Sequence, residues 1–236
     1  MEILCEYFRL KDDLDALYAK WLARDKLFAG PATRCTGVRL LAQPAYESLL
    51  AFISSQNNGI RRITLMVAAL KKHYGKLIAV IDGAAFLYSF PNPEALTGSM
   101  VEAELRQLGF GYRAGYFSLV SDAIVTGALD LSKLQAEKCD YAEAWKTLMT
   151  IKGVGPKVAD CIALTGLGHL EAVPIDTHMW RVARTRYPEM PTGNSLTLNH
   201  YMAIGSHFRR LHGPAAGWAH LVLFAAQIYA KTNGRR

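Results

Sequence analysis

The chain has no apolar run long enough to cross a bilayer, although 51% of its 236 residues are hydrophobic. A spanning helix needs roughly 20 consecutive apolar residues, so this hydrophobic content reads instead as one or two soluble domains with a sizeable core. Cysteine is scarce and scattered: Cys5, Cys35, Cys139 and Cys161 show neither CxxC nor zinc-finger spacing. That pattern reads as reduced intracellular thiols, with no disulfide framework and no metal site. The opening MEILCEYFRLKDDLD contains acidic residues and lacks the build of a secretory or transit peptide. No internal repeat and no low-complexity segment occurs. Acidic residues are the minority, 20 Asp+Glu against 27 Lys+Arg, for a net charge of +7 and a pI near 9.2. The excess fits a polyanionic partner without identifying one.

What is present is concentrated between Leu148 and Ala183, LMTIKGVGPKVADCIALTGLGHLEAVPIDTHMWRVA. Tyr141 to Met149 is amphipathic and helix-favouring. Gly153-Val154-Gly155 cannot continue it, because glycine loses the most backbone entropy and readily takes φ > 0. Pro156 suits a first helical position, where its missing N–H costs nothing, and Lys157 to Leu164 resumes an apolar pattern at helical spacing. The spacing predicts helix, tight hairpin, helix. Backbone N–H groups at such a hairpin and at the following helix start carry partial positive charge, which makes a phosphate site that reads no sequence. A bare GxG is otherwise an ordinary helical turn.

Lys157 stands where a cation opposes the helix dipole, since lysine normally favours the last turn. Partial burial would add to the dipole in favouring the neutral, nucleophilic amine; on spacing alone the residue reads as a solvated lysine. Further along, Asp176 directly precedes the apolar-periodic Thr177-His178-Met179-Trp180, the place of an N-cap. A carboxylate there can also stabilise developing positive charge and orient the lysine.

The remaining chain reads as helical, and the fold class is all-α. A stripe of Leu14, Leu17, Tyr18, Trp21 and Leu22 predicts a helix over 12–28, ended by Gly30-Pro31. Val38 to Leu41 is a short apolar, extended piece before a helix over 46–54. The polar Ser54-Ser55-Gln56-Asn57-Asn58-Gly59 interrupts it before a helix over 60–74, which carries Arg61, Arg62, Lys71 and Lys72. Gly109-Phe110-Gly111-Tyr112-Arg113 is a glycine-hinged tip between amphipathic segments at 102–107 and 116–124. An aromatic at such a tip can wedge into a base step, and an arginine can reach the acceptors of an unpaired base. Residues 130–140 are a polar connection. The stretch 187–198, with Pro188, Pro191, Gly193 and Asn194, is a loop by composition, and a last helix spans 215–230 with Trp218, Leu221, Val222 and Phe224 directed to a core or pocket.

IKGVGPKVADCIAL followed by VPIDTHMW resembles the helix-hairpin-helix, Gly/Pro…Asp superfamily of DNA glycosylases, and within it the eukaryotic-type 8-oxoguanine DNA glycosylases. GVRLLAQ at 37–43, SSQNNGIRRIT at 54–64, LGFGYRAGY at 108–116 and GPAAGWAHLVLF at 213–224 extend the similarity from about Tyr7 onward, in the family's order. The iron–sulfur branch of the superfamily does not fit, because no four-cysteine cluster lies near the C-terminus. The resemblance implies two helical lobes flanking a DNA cleft, with Lys157 and Asp176 at its mouth. The division is an N-terminal helical segment over 1–44, a lobe with DNA-wedge loops over 45–135 and a hairpin-bearing catalytic lobe over 136–236.

By the same resemblance, Lys157 is the nucleophile and Asp176 its electrostatic partner. Cys161 and Phe224 face the extruded base from opposite sides. Asn57 fills the gap it leaves, Arg62 and Arg113 contact the orphaned cytosine, and Tyr112 is the wedge. Gly153 and Gly155 hold a phosphate, and His178 lies near the phosphate of the flipped nucleotide. His220 falls where the family usually has a glutamine on the base's Watson–Crick edge; neutral histidine offers one donor and one acceptor against the amide's two donors and an acceptor, so a shift in base preference is expected. Eukaryotic-type members also carry most of an antiparallel-sheet subdomain upstream of the position of Tyr7, which supplies a backbone contact to the oxidised base. The chain has almost nothing there and reads as a compact variant or a truncated product, with lesion discrimination in question. The expected activity is excision of 8-oxoguanine opposite cytosine through a lysine Schiff base, followed by β-elimination. It would act without cofactor or metal, as a monomer on double-stranded DNA with no membrane partner, in the nucleus of a eukaryote or the cytoplasm of a prokaryote. The alternatives are a monofunctional glycosylase using Asp176 with water, and a DNA-binding module that has lost catalysis.

Overall fold

The computed structural model describes residues 1–191, 193 and 195–233, so Asn194, read above as part of a loop, lies outside the described residues. The chain is overwhelmingly helical. Helices α1 (Glu2–Tyr7), α2 (Leu14–Arg24) and α3 (Ala29–Arg34) lead into α4 (Ala45–Ser54) and α5 (Ile60–Tyr74). A two-stranded antiparallel ribbon follows, β1 (Leu77–Ile81) with β2 (Ala85–Tyr88), pairing Val80 with Phe86 and Ile81 with Ala85. Then come α6 (Val101–Gln107), α7 (Arg113–Val125), α8 (Tyr141–Met149), α9 (Pro156–Gly166), α10 (Thr177–Arg186), α11 (Leu198–His212) and α12 (Ala216–Asn233). Among the described residues no helix is long and apolar enough to cross a membrane.

Local chemistry explains most boundaries. The Asp13 carboxylate caps α2 by accepting from Ala16 N at 2.9 Å, and Asp140 caps α8 by accepting from Glu143 N at 2.8 Å. Short polar side chains at these positions satisfy N–H groups that have no partner within the helix. The first predicted helix is shorter than its apolar stripe. It breaks at Asp25, whose extended backbone and inward-facing carboxylate start a 3₁₀ turn over Lys26–Phe28. Gly30-Pro31 does not end a helix; both lie in the first turn of α3, where proline lacks nothing a helix needs.

Two elements depart from the sequence reading. Helix α11 was not anticipated, although Thr197 caps it (His200 N to Oγ1, 3.2 Å) and Tyr201, Ile204 and Phe208 bury one face at helical spacing. The β-ribbon was not anticipated either. Its burial does not alternate: Leu77, Ile78, Val80, Ile81, Phe86 and Leu87 are all exposed, so the period-2 pattern that marks a half-buried strand is missing.

Packing brings distant segments together. Helix α4 lies along α9, and α3 and α2 pack on α12 and α11. The α4–α9 contact is close because a Cβ at Gly166 would sit 3.0 Å from both the Ala45 Cα and the Ser48 Cβ, and Ser48 Oγ meets Thr165 Oγ1 at 2.7 Å. At the other end, Asp25 accepts from Tyr187 OH at 2.7 Å and contacts His212 Nε2 at 3.1 Å. His212 stacks on Phe208 at 5.7 Å between centroids. The fold therefore fixes α9 from both sides and leaves the turns at 54–59, 108–112 and 150–155 along one border.

Candidate active site

The hairpin between α8 and α9 is built around Gly153, which has φ = +89°, and whose added Cβ would enter the Tyr116 ring on α7. A side chain here would be strained by the backbone and also blocked by the aromatic. Val154 N closes the turn on Ile151 O at 2.9 Å. Gly155 is the N-cap of α9 and offers no capping side chain, and the first turn holds no acidic residue. The positive end of the α9 dipole thus remains for an anion.

Lys157 is the second residue of α9 and is half-buried. Its ammonium lies 5.1 Å from the centroid of Phe52 on α4. It also contacts the Cys161 thiol one turn on; burial pushes that thiol up to about 11, with the hydrogen bond and charge of Lys157 opposing. Asp176 does cap α10: Oδ1 accepts from His178 N at 2.9 Å and Met179 N at 2.8 Å. Two charge-assisted bonds on one oxygen fix the carboxylate and leave Oδ2 outside the cap. Asp176 also acts on the Cys161 thiol, and both Lys157 and Asp176 act on the His220 imidazole. The four side chains are electrostatically coupled.

His220 on α12 is 5% exposed and packs edge-on to Phe208 at 6.3 Å. Burial pushes its pKa down to about 4, so the ring is neutral at physiological pH, and its Nε2 is buried without a hydrogen-bond partner among the described residues. A buried nitrogen in that condition calls for a polar ligand. Phe224, one turn further along α12, is half-buried against the core. His178 is exposed at the start of α10. Two surface hollows, of about 240 and 540 Å³, lie beside α7 and the 130–135 turn, and none of these side chains lines either one.

The polar loops lie together. Asn57 is exposed with φ = +42°, a left-handed conformation that asparagine tolerates better than most side chains. Tyr112 is exposed and sits edge-on to Tyr116 at 6.0 Å. Arg62 is exposed, and its guanidinium donates to Gly109 O at 3.2 Å, bridging from α5 to the second tip. Arg113 does not point outward: it is 3% exposed, lies 4.5 Å from the Tyr112 ring centroid and donates to Gln56 O and to Asn57 O. Gln56 in turn donates to Gly153 O, joining the first loop to the hairpin.

Sequence reasoning missed Gln56, Tyr116 and the buried Asp160. The Asp160 carboxylate is reached by Tyr141 OH at 2.5 Å and by Tyr201 OH. An aspartate on the apolar face of α9 was the available signal, because a fully buried carboxylate needs partners. Its partners lie on helices that local spacing cannot place. Among the described residues no group of three or more His, Cys, Asp and Glu side chains is arranged to hold a metal.

Two helices across a glycine hairpin, a lysine opening the second helix and an aspartate capping the next define the helix-hairpin-helix class of DNA glycosylase. A model for the 8-oxoguanine DNA glycosylase N-terminal domain matches residues 1–49. The chain is 39% identical to the N-glycosylase/DNA lyase of Saccharomyces cerevisiae, over 95% of this chain and 66% of that one. It is 30% identical to the probable N-glycosylase/DNA lyase of Methanothermobacter thermautotrophicus, over 92% of this chain and 71% of that one. The solved structure of Clostridium acetobutylicum 8-oxoguanine glycosylase/lyase, in complex with double-stranded DNA containing cytosine opposite 8-oxoguanine, superposes with a TM-score of 0.85 at 28% identity, covering 98% of this chain and 74% of that one. The chain belongs to the 8-oxoguanine DNA glycosylase (N-glycosylase/DNA lyase) family. It spans about two thirds of the length of its yeast relative.

Proposed function

We propose that the protein excises 8-oxoguanine opposite cytosine from double-stranded DNA and then nicks the strand, acting as a monomer. The observation that carries this reading is the electrostatic coupling of Lys157 and Asp176 with Cys161 and His220, beside a hairpin whose helix start is open to phosphate. The lesion leaves the stack because its glycosidic carbon is unreachable inside it, at a cost of a few kcal/mol. Gly153, Gly155 and the α9 N–H groups hold backbone phosphate, and surrounding basic side chains add affinity independent of sequence.

The Lys157 nitrogen attacks C1′ of the deoxyribose through its lone pair. The C1′–N9 bond breaks with its electron pair on the base, which takes up a proton as it leaves, while the attacking nitrogen gives one up. Asp176 stabilises the positive charge that builds on the sugar. Ring opening yields a Schiff base between Lys157 and C1′. Loss of a C2′ proton then expels the 3′ phosphate, and hydrolysis of the imine frees the lysine.

Cys161 and Phe224 flank the base, and the unpartnered Nε2 of His220 meets its Watson–Crick edge. Tyr112 wedges the duplex and Asn57 fills the vacated stack. Arg62 and Arg113 read the orphaned cytosine, Arg113 by exchanging the carbonyls of Gln56 and Asn57 for the base's acceptors. His178 supports the phosphate of the flipped nucleotide. The wedge residues fall in the 45–135 lobe and the chemistry in the 136–236 lobe, with residues 1–44 completing the fold. Such an enzyme works where the genome is, in the nucleus of a eukaryote or the cytoplasm of a prokaryote. Borohydride trapping on a duplex with 8-oxoguanine opposite cytosine, alongside an abasic duplex, tests the reading. The expected result is a covalent adduct on both, absent in Lys157→Gln; an adduct confined to the abasic duplex would refute lesion excision.

A further inference from the structure

Asp160 lies one turn beyond Lys157 on α9 and is 1% exposed, yet the chemistry above does not use it. Its Oδ1 accepts from Tyr141 OH at 2.5 Å and its Oδ2 from Tyr201 OH. Tyr201, buried on α11, receives Ile175 N at 3.4 Å on the same hydroxyl oxygen. That hydroxyl has one proton. Val173 O also lies 3.4 Å away, but the carboxylate is nearer and the stronger acceptor, so the proton goes to Asp160. The chain of donors then runs in one direction, from the Ile175 amide to the Tyr201 hydroxyl to the Asp160 carboxylate. Ile175 immediately precedes Asp176. These described hydrogen bonds carry α9 to the residue directly before Asp176, beyond the two, from Leu167 N to Ile162 O and from His169 N to Ala163 O, that close the end of the helix.

The other side of the carboxylate is held differently. Tyr141 belongs to α8, and Arg209 donates to its hydroxyl at 3.4 Å from above its ring. Burial still dominates and pushes the Asp160 carboxyl up to about 7. A buried polar network with its members satisfied holds one geometry more rigidly than apolar packing of similar volume.

We infer that Asp160 and Tyr201 form a positioning pair that sets the separation of the Lys157 amine from the Asp176 carboxylate. The inference rests on the roles proposed for those two residues. It predicts unequal effects on the two half-reactions. Excision needs both groups, because positive charge builds on the sugar while the amine attacks. Imine formation on a ready-made abasic aldehyde needs only the amine. Loosening the pair slows the first far more than the second.

The test compares single-turnover excision of 8-oxoguanine with borohydride trapping on an abasic duplex, in wild type, Tyr201→Phe, Tyr141→Phe and Lys157→Gln, with duplex affinity and Tm measured for each. Tyr201→Phe should slow excision by roughly 10-fold to 100-fold, the scale of a misplacement of about 1 Å, while abasic trapping and affinity stay close to wild type. Tyr141→Phe removes the other donor to the same carboxylate without touching the Asp176 segment. It should lower Tm comparably and keep the wild-type ratio of excision to trapping. Equal losses in both half-reactions for Tyr201→Phe, a matching ratio change in Tyr141→Phe, or no change in either would overturn the inference while Lys157→Gln remains inert. Trapping that survives in Lys157→Gln would overturn the underlying assignment as well, and would show in a different lane from the tyrosine variants.

Discussion

The hairpin side and the loop side of the site are built on opposite principles. Around Lys157 and Asp176, two carboxylates are held by bonds that persist without a ligand: Asp176 in its cap on α10 and the buried Asp160 between two tyrosines. At the 54–59 and 108–113 loops the polar side chains are exposed, or occupied with loop carbonyls, as Arg62 is with Gly109 O and Arg113 with Gln56 O. On the proposed function, one side is organised ahead of the reaction, and the other is held by contacts that DNA would replace. Electrostatic stabilisation is most effective when its dipoles need not reorganise, whereas a surface that inserts into a duplex has to change partners.

The largest break in this contrast is at the nucleophile. Lys157→Gln should abolish excision and trapping together while duplex affinity in a gel-shift assay stays near wild type. Next is Arg113→Ala, which should remove the preference for cytosine opposite the lesion. A bidentate arginine contact is worth about 1–3 kcal/mol of discrimination, or roughly 10-fold to 100-fold in the ratio of excision rates opposite cytosine and opposite adenine. Abasic trapping should be much less affected. Gly153→Ala should lower stability by about 1–3 kcal/mol in denaturant unfolding, since it places a side chain at positive φ and against the Tyr116 ring. Its effect on the loop side would travel through Tyr116 to Tyr112.

The pH dependence of stability is where two buried groups of the hairpin side pull in opposite senses, so that in the wild type their effects largely offset. Asp160 titrates near 3.8 when unfolded and about 7 when folded, so the native state binds the extra proton and Asp160's contribution falls as pH rises from about 4 to 7. His220 titrates near 6.5 unfolded and about 4 folded, so the unfolded state binds the extra proton and its contribution falls as pH drops from about 6.5 to 4. Relative to wild type, His220→Gln should therefore lose Tm more steeply toward pH 7, and Asp160→Asn more steeply toward pH 4. Parallel Tm profiles for all three proteins would contradict the placement of both groups.

The same two sides differ in how much of them the sequence reveals. Helices at 60–74 and 141–149 coincide with their predicted spans, and the hairpin, Lys157 and the Asp176 cap are legible because a few neighbouring residues determine them. The β-ribbon hid because both of its faces are apolar and exposed, which erases the alternation that marks a strand. Helix α11 carried a readable stripe that the preceding proline-rich loop obscured. Asp160 was passed over, and the packing of Arg113 was not foreseen, for a different reason. Their partners lie on elements distant in the chain, helices for Asp160 and a loop for Arg113, and a bond such as Asp25 to His212, 187 positions apart, leaves no trace in local spacing. From its place in the tip Arg113 reads as an arginine within reach of an unpaired base, and only tertiary packing shows it turned onto the neighbouring loop.

The proposed chemistry depends most on the identity of the nucleophile, and one measurement addresses it directly. Wild-type protein reduced with borohydride on an 8-oxoguanine:cytosine duplex can be digested and the cross-linked peptide sequenced by mass spectrometry. The expected result is a single reduced adduct on Lys157. An adduct on Lys152, on the N-terminal amine or on any other lysine would show that the organised side of the site serves a different amine, and would contradict the assignment.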